Sequence, residues 1–198
     1  MFAVKVKHIA SVIGTSINIT MLKVIKASRW AKSGLLVALL TLSNLTWAES
    51  IKVVMYGDSV SAGYKMARQD SWPYLLAEAF KAEDSNIDFI NESISGETTG
   101  GGLARLAGVL ERHQLDSDDW LLIELGGNDG LRGFPVKTLK GNLSNMIELA
   151  KSQGANVALM PIKIPPNYGK RYTQMMEAAY QQLGEQYALP LVPFFMEQ

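Results

Sequence analysis

Apolar positions along this chain fall into two alternating rhythms, short unbroken runs and longer stretches spaced three and four apart. Ile51–Tyr56 is a run closed by Gly57 and predicts a buried strand. Ser71 stands at a helix N-cap, Pro73 suits the first turn, and Leu75, Leu76, Ala79 and Phe80 share a face. Asp88–Asn91 predicts a second strand, and Thr98 or Thr99 then precedes a helix with Leu103, Leu106, Ala107 and Leu110 on one stripe. Trp120–Leu125 is the clearest strand, followed by a helix whose stripe is Leu139, Leu143, Met146, Ile147 and Ala150. Val157–Ile162 predicts a fourth strand, and the next helix carries Tyr172, Met175, Met176, Ala179 and Leu183. Leu191–Phe195 predicts a fifth, where Pro193 suits a sheet edge.

Strands that alternate with helices imply right-handed crossovers and a parallel sheet covered on both faces, an α/β fold. Ligands of such sheets sit beyond the carboxyl ends of the strands. The chemistry is therefore sought in the residues that follow each strand.

Composition narrows the picture. The 198 residues suit one domain with an appendage, and 47% hydrophobic with 19% charged is globular. The absence of cysteine excludes disulfides, iron–sulfur clusters, thiolate zinc sites and a cysteine nucleophile. No apolar run reaches the roughly 18 residues of a spanning helix. Charge is uneven: residues 1–48 hold Lys5, Lys7, Lys23, Lys26, Arg29 and Lys32 and no acid, leaving 13 basic and 19 acidic residues after them. An acidic body argues against nucleic acid as a partner, since that binding rests on phosphate neutralisation.

The first 48 residues read as an export signal, a basic stretch from Lys23 to Lys32, an apolar core Gly34–Leu45, and small residues in Thr46-Trp47-Ala48. Cleavage is expected before Glu49, with Met21 the expected start of translation, giving a periplasmic or secreted protein without a stable membrane anchor.

Three strand ends carry candidate chemistry: Gly57-Asp58-Ser59-Val60-Ser61 after the first strand, Ser93-Ile94-Ser95-Gly96-Glu97 after the second, and Gly126-Gly127-Asn128-Asp129-Gly130 after the third. A serine on a tight turn at a strand end can present its hydroxyl as a nucleophile. The N–H groups of Ser59 and Gly96 and the Asn128 amide are candidates to converge on a developing oxyanion. Glycine at 96 would let the backbone approach closely. Gly100-Gly101-Gly102 reads as a flexible helix entry, since neither a Walker lysine nor a dinucleotide fingerprint accompanies it. Ser61 stands where a G-x-S-x-G elbow needs its second glycine.

Together, in this order, the segments resemble the SGNH hydrolases, also called GDSL esterases and lipases. The similarity runs from Ile51 to the last residue and includes Ser93–Gly96, Gly102–Leu106, Glu124–Phe134, Asn167–Gly169 and Pro193–Glu197. It implies a flavodoxin-like three-layer sandwich with five parallel strands in the order 2-1-3-4-5. It makes Ser59 the nucleophile and gives the oxyanion hole to Ser59, Gly96 and Asn128. Asp58 would organise the turn rather than move protons. No metal or organic cofactor is implied. The expected partner is a small-molecule acyl ester or thioester, including lysophospholipids and aryl esters, met by a monomer.

The family's Asp-x-x-His block is missing, since the sequence reaches Gln198 without one. The catalytic His and its Asp are absent from the chain, and a truncated form lacking the C-terminal helix, with little turnover of its own, is expected. His8 lies in the export segment. About 14 helical residues carry His113 roughly 20 Å back along the sheet, away from Ser59. It reads as a surface histidine, with Asp116, Asp118 and Asp119 nearby. Asp129 and Glu97 stay near the crevice and read as turn and cap residues. A non-catalytic binder of acyl chains or glycans, and a binding module for a phosphorylated ligand, are the competing readings.

Overall fold

The computed structural model describes residues 50–193. The expected export segment and Phe194–Phe195 of the expected fifth strand lie outside them. In chain order the elements are β1 (Ile51–Gly57), α1 (Ser59–Ala62), α2 (Trp72–Ala82), β2 (Ile87–Asn91), α3 (Thr99–His113), β3 (Trp120–Glu124), α4 (Gly127–Leu131), α5 (Val136–Ser152), β4 (Asn156–Leu159) and α6 (Lys170–Tyr187). The sheet order is β2-β1-β3-β4, with every neighbouring pair parallel. Parallel neighbours need long crossovers, which the helices supply.

One face of the sheet presents Val54, Tyr56, Leu121, Ile123, Val157 and Leu159 to α3, α5 and α6. The α5 stripe is the one expected: Leu139, Leu143, Met146, Ile147 and Ala150 are all fully buried. Burying a leucine of this kind contributes about 1.5–3 kcal/mol. On the other face α2 packs over β2, with the Phe89 ring 6.1 Å from Trp72 and 6.3 Å from Phe80.

The other helices are rotated from the expected stripes. In α2 the inward positions are Trp72, Pro73, Leu76 and Phe80, and Leu75 is exposed. Trp72 turns inward in the first turn and sets an i, i+4, i+8 stripe that leaves Leu75 outside. Ser71 does not cap this helix through its side chain; its hydroxyl donates to Arg68 O at 2.7 Å instead. In α3 the inward stripe is Gly102, Leu106, Val109 and Leu110, with Ala107 exposed. Gly102 is the reason: a Cβ there would lie 2.5 Å from Leu125 Cδ1, and its carbonyl accepts the Tyr56 hydroxyl at 2.6 Å. The glycine run is thus a close-packed first turn of helix, not a flexible entry. In α6, Tyr180 turns inward with Met176, Ala179 and Leu183, while Met175 is exposed.

Among the described residues of the expected fifth strand, one parallel bridge joins Leu191 to Leu159, closed by Val192 N–H on Leu159 O at 2.8 Å. Pro190 and Pro193 flank it and have no N–H to extend a ladder. No helix among the described residues is long and apolar enough to cross a membrane.

Candidate active site

β1 ends in Gly57, and the chain turns at once into the single-turn helix α1. Asp58, 2% exposed, is its N-cap, and Oδ1 accepts the Val60 N–H at 3.0 Å. Burial raises the Asp58 carboxyl above its ordinary range, against hydrogen bonds from Val60 N–H and Asn128 that lower it. Ser59 follows, half-buried, at the first helical position. Among the described residues none takes its hydroxyl or its N–H in a hydrogen bond.

The segment after β2 is stitched to the end of β1. Gly57 N–H donates to Ser93 Oγ at 3.1 Å, Ile94 N–H donates to Gly57 O at 3.0 Å, and Asn91 Nδ2 donates to Ser61 O at 2.8 Å. Ile94–Glu97 forms a turn closed by Glu97 N–H on Ile94 O at 3.2 Å. Gly96 occupies the third position with φ +83°, the conformation that a type II turn requires of glycine. A Cβ at Gly96 would meet no protein atom. The backbone angle demands glycine here, not the close protein packing that a missing Cβ usually serves.

The segment after β3 reaches across to both. Asn128 Nδ2 donates to Asp58 Oδ2 at 3.1 Å and to Glu97 O at 2.9 Å. Arg132 adds a bond from Nη2 to Gly96 O at 3.2 Å. Tyr180, buried in α6, donates to Leu125 O at 2.8 Å and holds the end of β3; burial pushes its hydroxyl well above the usual range. One amide side chain therefore ties together the turns that carry Ser59 and Gly96.

The two acids expected in cap roles are engaged. Asp129 accepts Thr99 N–H at 2.8 Å and the Thr99 hydroxyl at 2.5 Å, at the N-terminus of α3 where a carboxylate is favoured. Glu97 pairs with Arg105 Nε at 2.6 Å, and the same guanidinium lies 4.1 Å over the Tyr56 ring.

His113 is less exposed than expected. Its side chain is 15% exposed, and Nε2 lies 2.7 Å from Glu92 Oε1, which also accepts Arg112 Nη1 at 2.7 Å. Burial raises the Glu92 carboxyl, but hydrogen bonds from His113 and Arg112 outweigh it and hold the group below its ordinary range. The His113 carbonyl accepts Lys52 Nζ at 3.3 Å, and Lys52 pairs with Asp119 at 3.3 Å, near the start of β1. The Glu92 side chain therefore meets the ring while the His113 carbonyl is held by Lys52 of β1. The physical reason it is no plain surface histidine is this shared acceptor.

Sequence reasoning missed Glu124, the last residue of β3. It is fully buried, its Oε2 accepts the Ser61 hydroxyl, and burial lifts its carboxyl to about 8. The available signal was an acid terminating an otherwise apolar strand, Trp-Leu-Leu-Ile-Glu.

A groove of about 490 Å³ opens between α2 and β2, touching Ala62 and Ser93 at one end. Ser59, Gly96 and Asn128 are not among its walls, so it is not the crevice of the candidate site. No group of three or more His, Cys, Asp or Glu among the described residues is arranged to hold a metal ion.

A family model described as the GDSL-like lipase/acylhydrolase family matches residues 55–198. The arylesterase of Vibrio mimicus is 52% identical over 148 residues, 75% of this chain and 72% of the relative. Thioesterase 1/protease 1/lysophospholipase L1 of Escherichia coli K12 is 41% identical over 170 residues, 86% of this chain and 77% of the relative. The crystal structure of the psychrotrophic esterase EstA from a Pseudoalteromonas species, inhibited by monoethylphosphonate, superposes with a TM-score of 0.70 at 44% identity. It covers 73% of this chain and 78% of that one.

Proposed function

The chain belongs to the GDSL-like lipase/acylhydrolase family and is an esterase and thioesterase by that kinship, and from this premise we propose that Ser59 is its nucleophile. The observation that carries the reading is the Asn128 bridge between the Ser59 and Gly96 turns, beside a serine whose hydroxyl and N–H are both unengaged among the described residues. Ser59 Oγ attacks the acyl carbonyl, its proton passes to a base, and the carbonyl oxygen becomes an oxyanion. The N–H groups of Ser59 and Gly96 and the Asn128 amide stabilise that charge. Collapse expels the alcohol or thiol, and water then releases the acid from Ser59.

Asn128 has two amide protons, and both are already donated. To act on an oxyanion it must share one. The longer bond, 3.1 Å to Asp58, is the one on the nucleophile's turn and is the one we assign to that exchange. We assign Asp58 a structural part, capping α1 and orienting Asn128, which its hydrogen bonds from Val60 N–H and Asn128 support.

The base is the step the described residues do not supply. His113 is engaged with Glu92, and neither it nor His8 stands in an Asp-x-x-His sequence. We assign the proton relay to that family block. The names of the relatives favour aryl esters, acyl thioesters and lysophospholipids as substrates. Export follows from residues 21–48, with a mature protein beginning at Glu49 in the periplasm or outside the cell and acting as a monomer. N-terminal sequencing of the exported protein checks that start.

The test joins a segment carrying the family's Asp-x-x-His block to this chain and assays an aryl ester. Hydrolysis that appears on joining and vanishes in Ser59→Ala supports the reading. Full activity in Ser59→Ala overturns it.

A further inference from the structure

Glu124 has no part in the chemistry above, yet it is the acid built most deeply under the nucleophile's turn. It ends β3 in register with Gly57, which ends β1. A Cβ at Gly57 would lie 2.5 Å from Glu124 Oε2 and 3.1 Å from Ser61 Cβ, so glycine leaves the space that the carboxyl fills. Oε2 accepts the Ser61 hydroxyl, two residues past Ser59, while Oε1 is buried and has no hydrogen-bond partner. The carboxyl is thus keyed to the turn on one oxygen and sealed off on the other.

We propose that Glu124 is a positioning residue, a neutral carboxylic acid walled in beneath the β1–α1 turn that holds the turn in the shape presenting Ser59. A buried carboxylate with one oxygen unpartnered is among the most expensive arrangements in a protein interior, and neutralisation removes most of that cost. Among the described residues no cation acts on it. Asp58 faces it from the turn, with a charge of the same sign. Tyr180 of α6 is a further titratable neighbour, its hydroxyl committed to Leu125 O, and Asp129 of α4 adds a negative charge that acts on both Asp58 and Tyr180. α1 (Ser-Val-Ser-Ala) and β4 (Asn-Val-Ala-Leu) carry no titratable side chain. Burial and the Asp58 charge raise the carboxyl to about 8, with hydrogen bonds from Ser61 and from the backbone of Asp58 and Ser61 drawing it down. Above that pH a second negative charge forms beside Asp58 and the turn loosens.

The inference rests on the reading of Ser59 as nucleophile, but its first test does not. In amide NMR spectra of the 198-residue protein taken from about pH 6 to 10, the Asp58, Ser59 and Ser61 resonances are expected to move together with a midpoint near 8. In Glu124→Gln, which keeps the shape and cannot ionise, they stay at their low-pH positions. Ser61→Ala removes the hydroxyl that draws the carboxyl down, and the midpoint is expected to move up. Amides that stay still in the wild-type protein, or that move alike in Glu124→Gln, overturn the proposal. So does a midpoint unmoved in Ser61→Ala.

In the ester assay, wild-type kcat is expected to fall about tenfold above this pH with KM unchanged, a misplacement effect. Glu124→Gln is expected to keep its neutral-pH kcat and lose that fall. A kcat as low in Glu124→Gln as in Glu124→Ala would mean that the ionised form is needed, and the proposal fails. Hydrolysis indifferent to Ser59→Ala removes the nucleophile assignment alone, because the amide titration still decides Glu124.

Discussion

Two glutamates near the carboxyl end of the sheet meet opposite fates. Glu92, just past β2, is partly open to solvent and shares one oxygen with Arg112 and His113. Glu124, at the end of β3, is fully buried with a serine hydroxyl on one oxygen and nothing on the other. The first carboxyl is held below its ordinary range by its donors, and the second is lifted to about 8 by desolvation. The same side chain is a charged strut at one corner and a neutral acid at the other. The difference lies in water and counter-charge, and it separates a region built for support from the region that frames Ser59.

The sharpest way to test that division is at Ser59, the proposed nucleophile. Ser59→Ala is expected to reduce ester hydrolysis by the joined protein to background, measured by release of the aryl alcohol. Next comes Asn128→Ala, expected to cut kcat by roughly two to three orders of magnitude while leaving a folded protein by circular dichroism. The loss would follow from the proposed second role of the bridging amide, as an oxyanion donor.

Glu124 gives the third effect, in stability. Its folded-state affinity for a proton exceeds that of the unfolded chain, so the native state holds a proton the unfolded state releases between about pH 4.5 and 8. Its contribution is therefore complete below that window and lost as pH rises through it, by an amount of order a few kcal/mol. Urea midpoints of wild type and Glu124→Gln should lie together near pH 4.5 and diverge toward pH 8, the wild type falling below the variant. Equal slopes against pH would break the contrast between the two glutamates. The smallest effect belongs to the other corner. His113→Ala is expected to leave ester hydrolysis within about twofold of wild type and to cost under about 1 kcal/mol, as loss of a partly exposed hydrogen bond should. A large loss of kcat there would mean that the supporting corner reaches the chemistry.

The strand–helix alternation was legible because it rests on local periodicity. Five apolar residues of α5 repeat at helical spacing and all face the core. The candidate turns were legible too, as Asp58, Ser59, Gly96 and Asn128 each follow a strand, and parallel strands send such residues to one edge. Less legible was which way each remaining helix faces. Leu75, Ala107 and Met175 fit an apolar stripe by spacing, yet Trp72, Gly102 and Tyr180 decided the rotation by size and close approach. Among the described residues of the expected fifth strand, Leu191 makes one bridge between Pro190 and Pro193, which have no N–H to offer a ladder.

What the amino-acid order determined by itself is the alternation of the longer helices with the strands, their parallel arrangement and the three turns beyond the strands, because each follows from short-range spacing and from rules of chain connection. What only the tertiary structure decided is the state of the groups between those turns. Asn128 spends both its amide protons on partners 70 and 31 residues away, and Glu124 meets Ser61 across 63 residues of chain. Burial, counter-charge and hydrogen-bond geometry depend on distances in space, and no spacing along the chain encodes them.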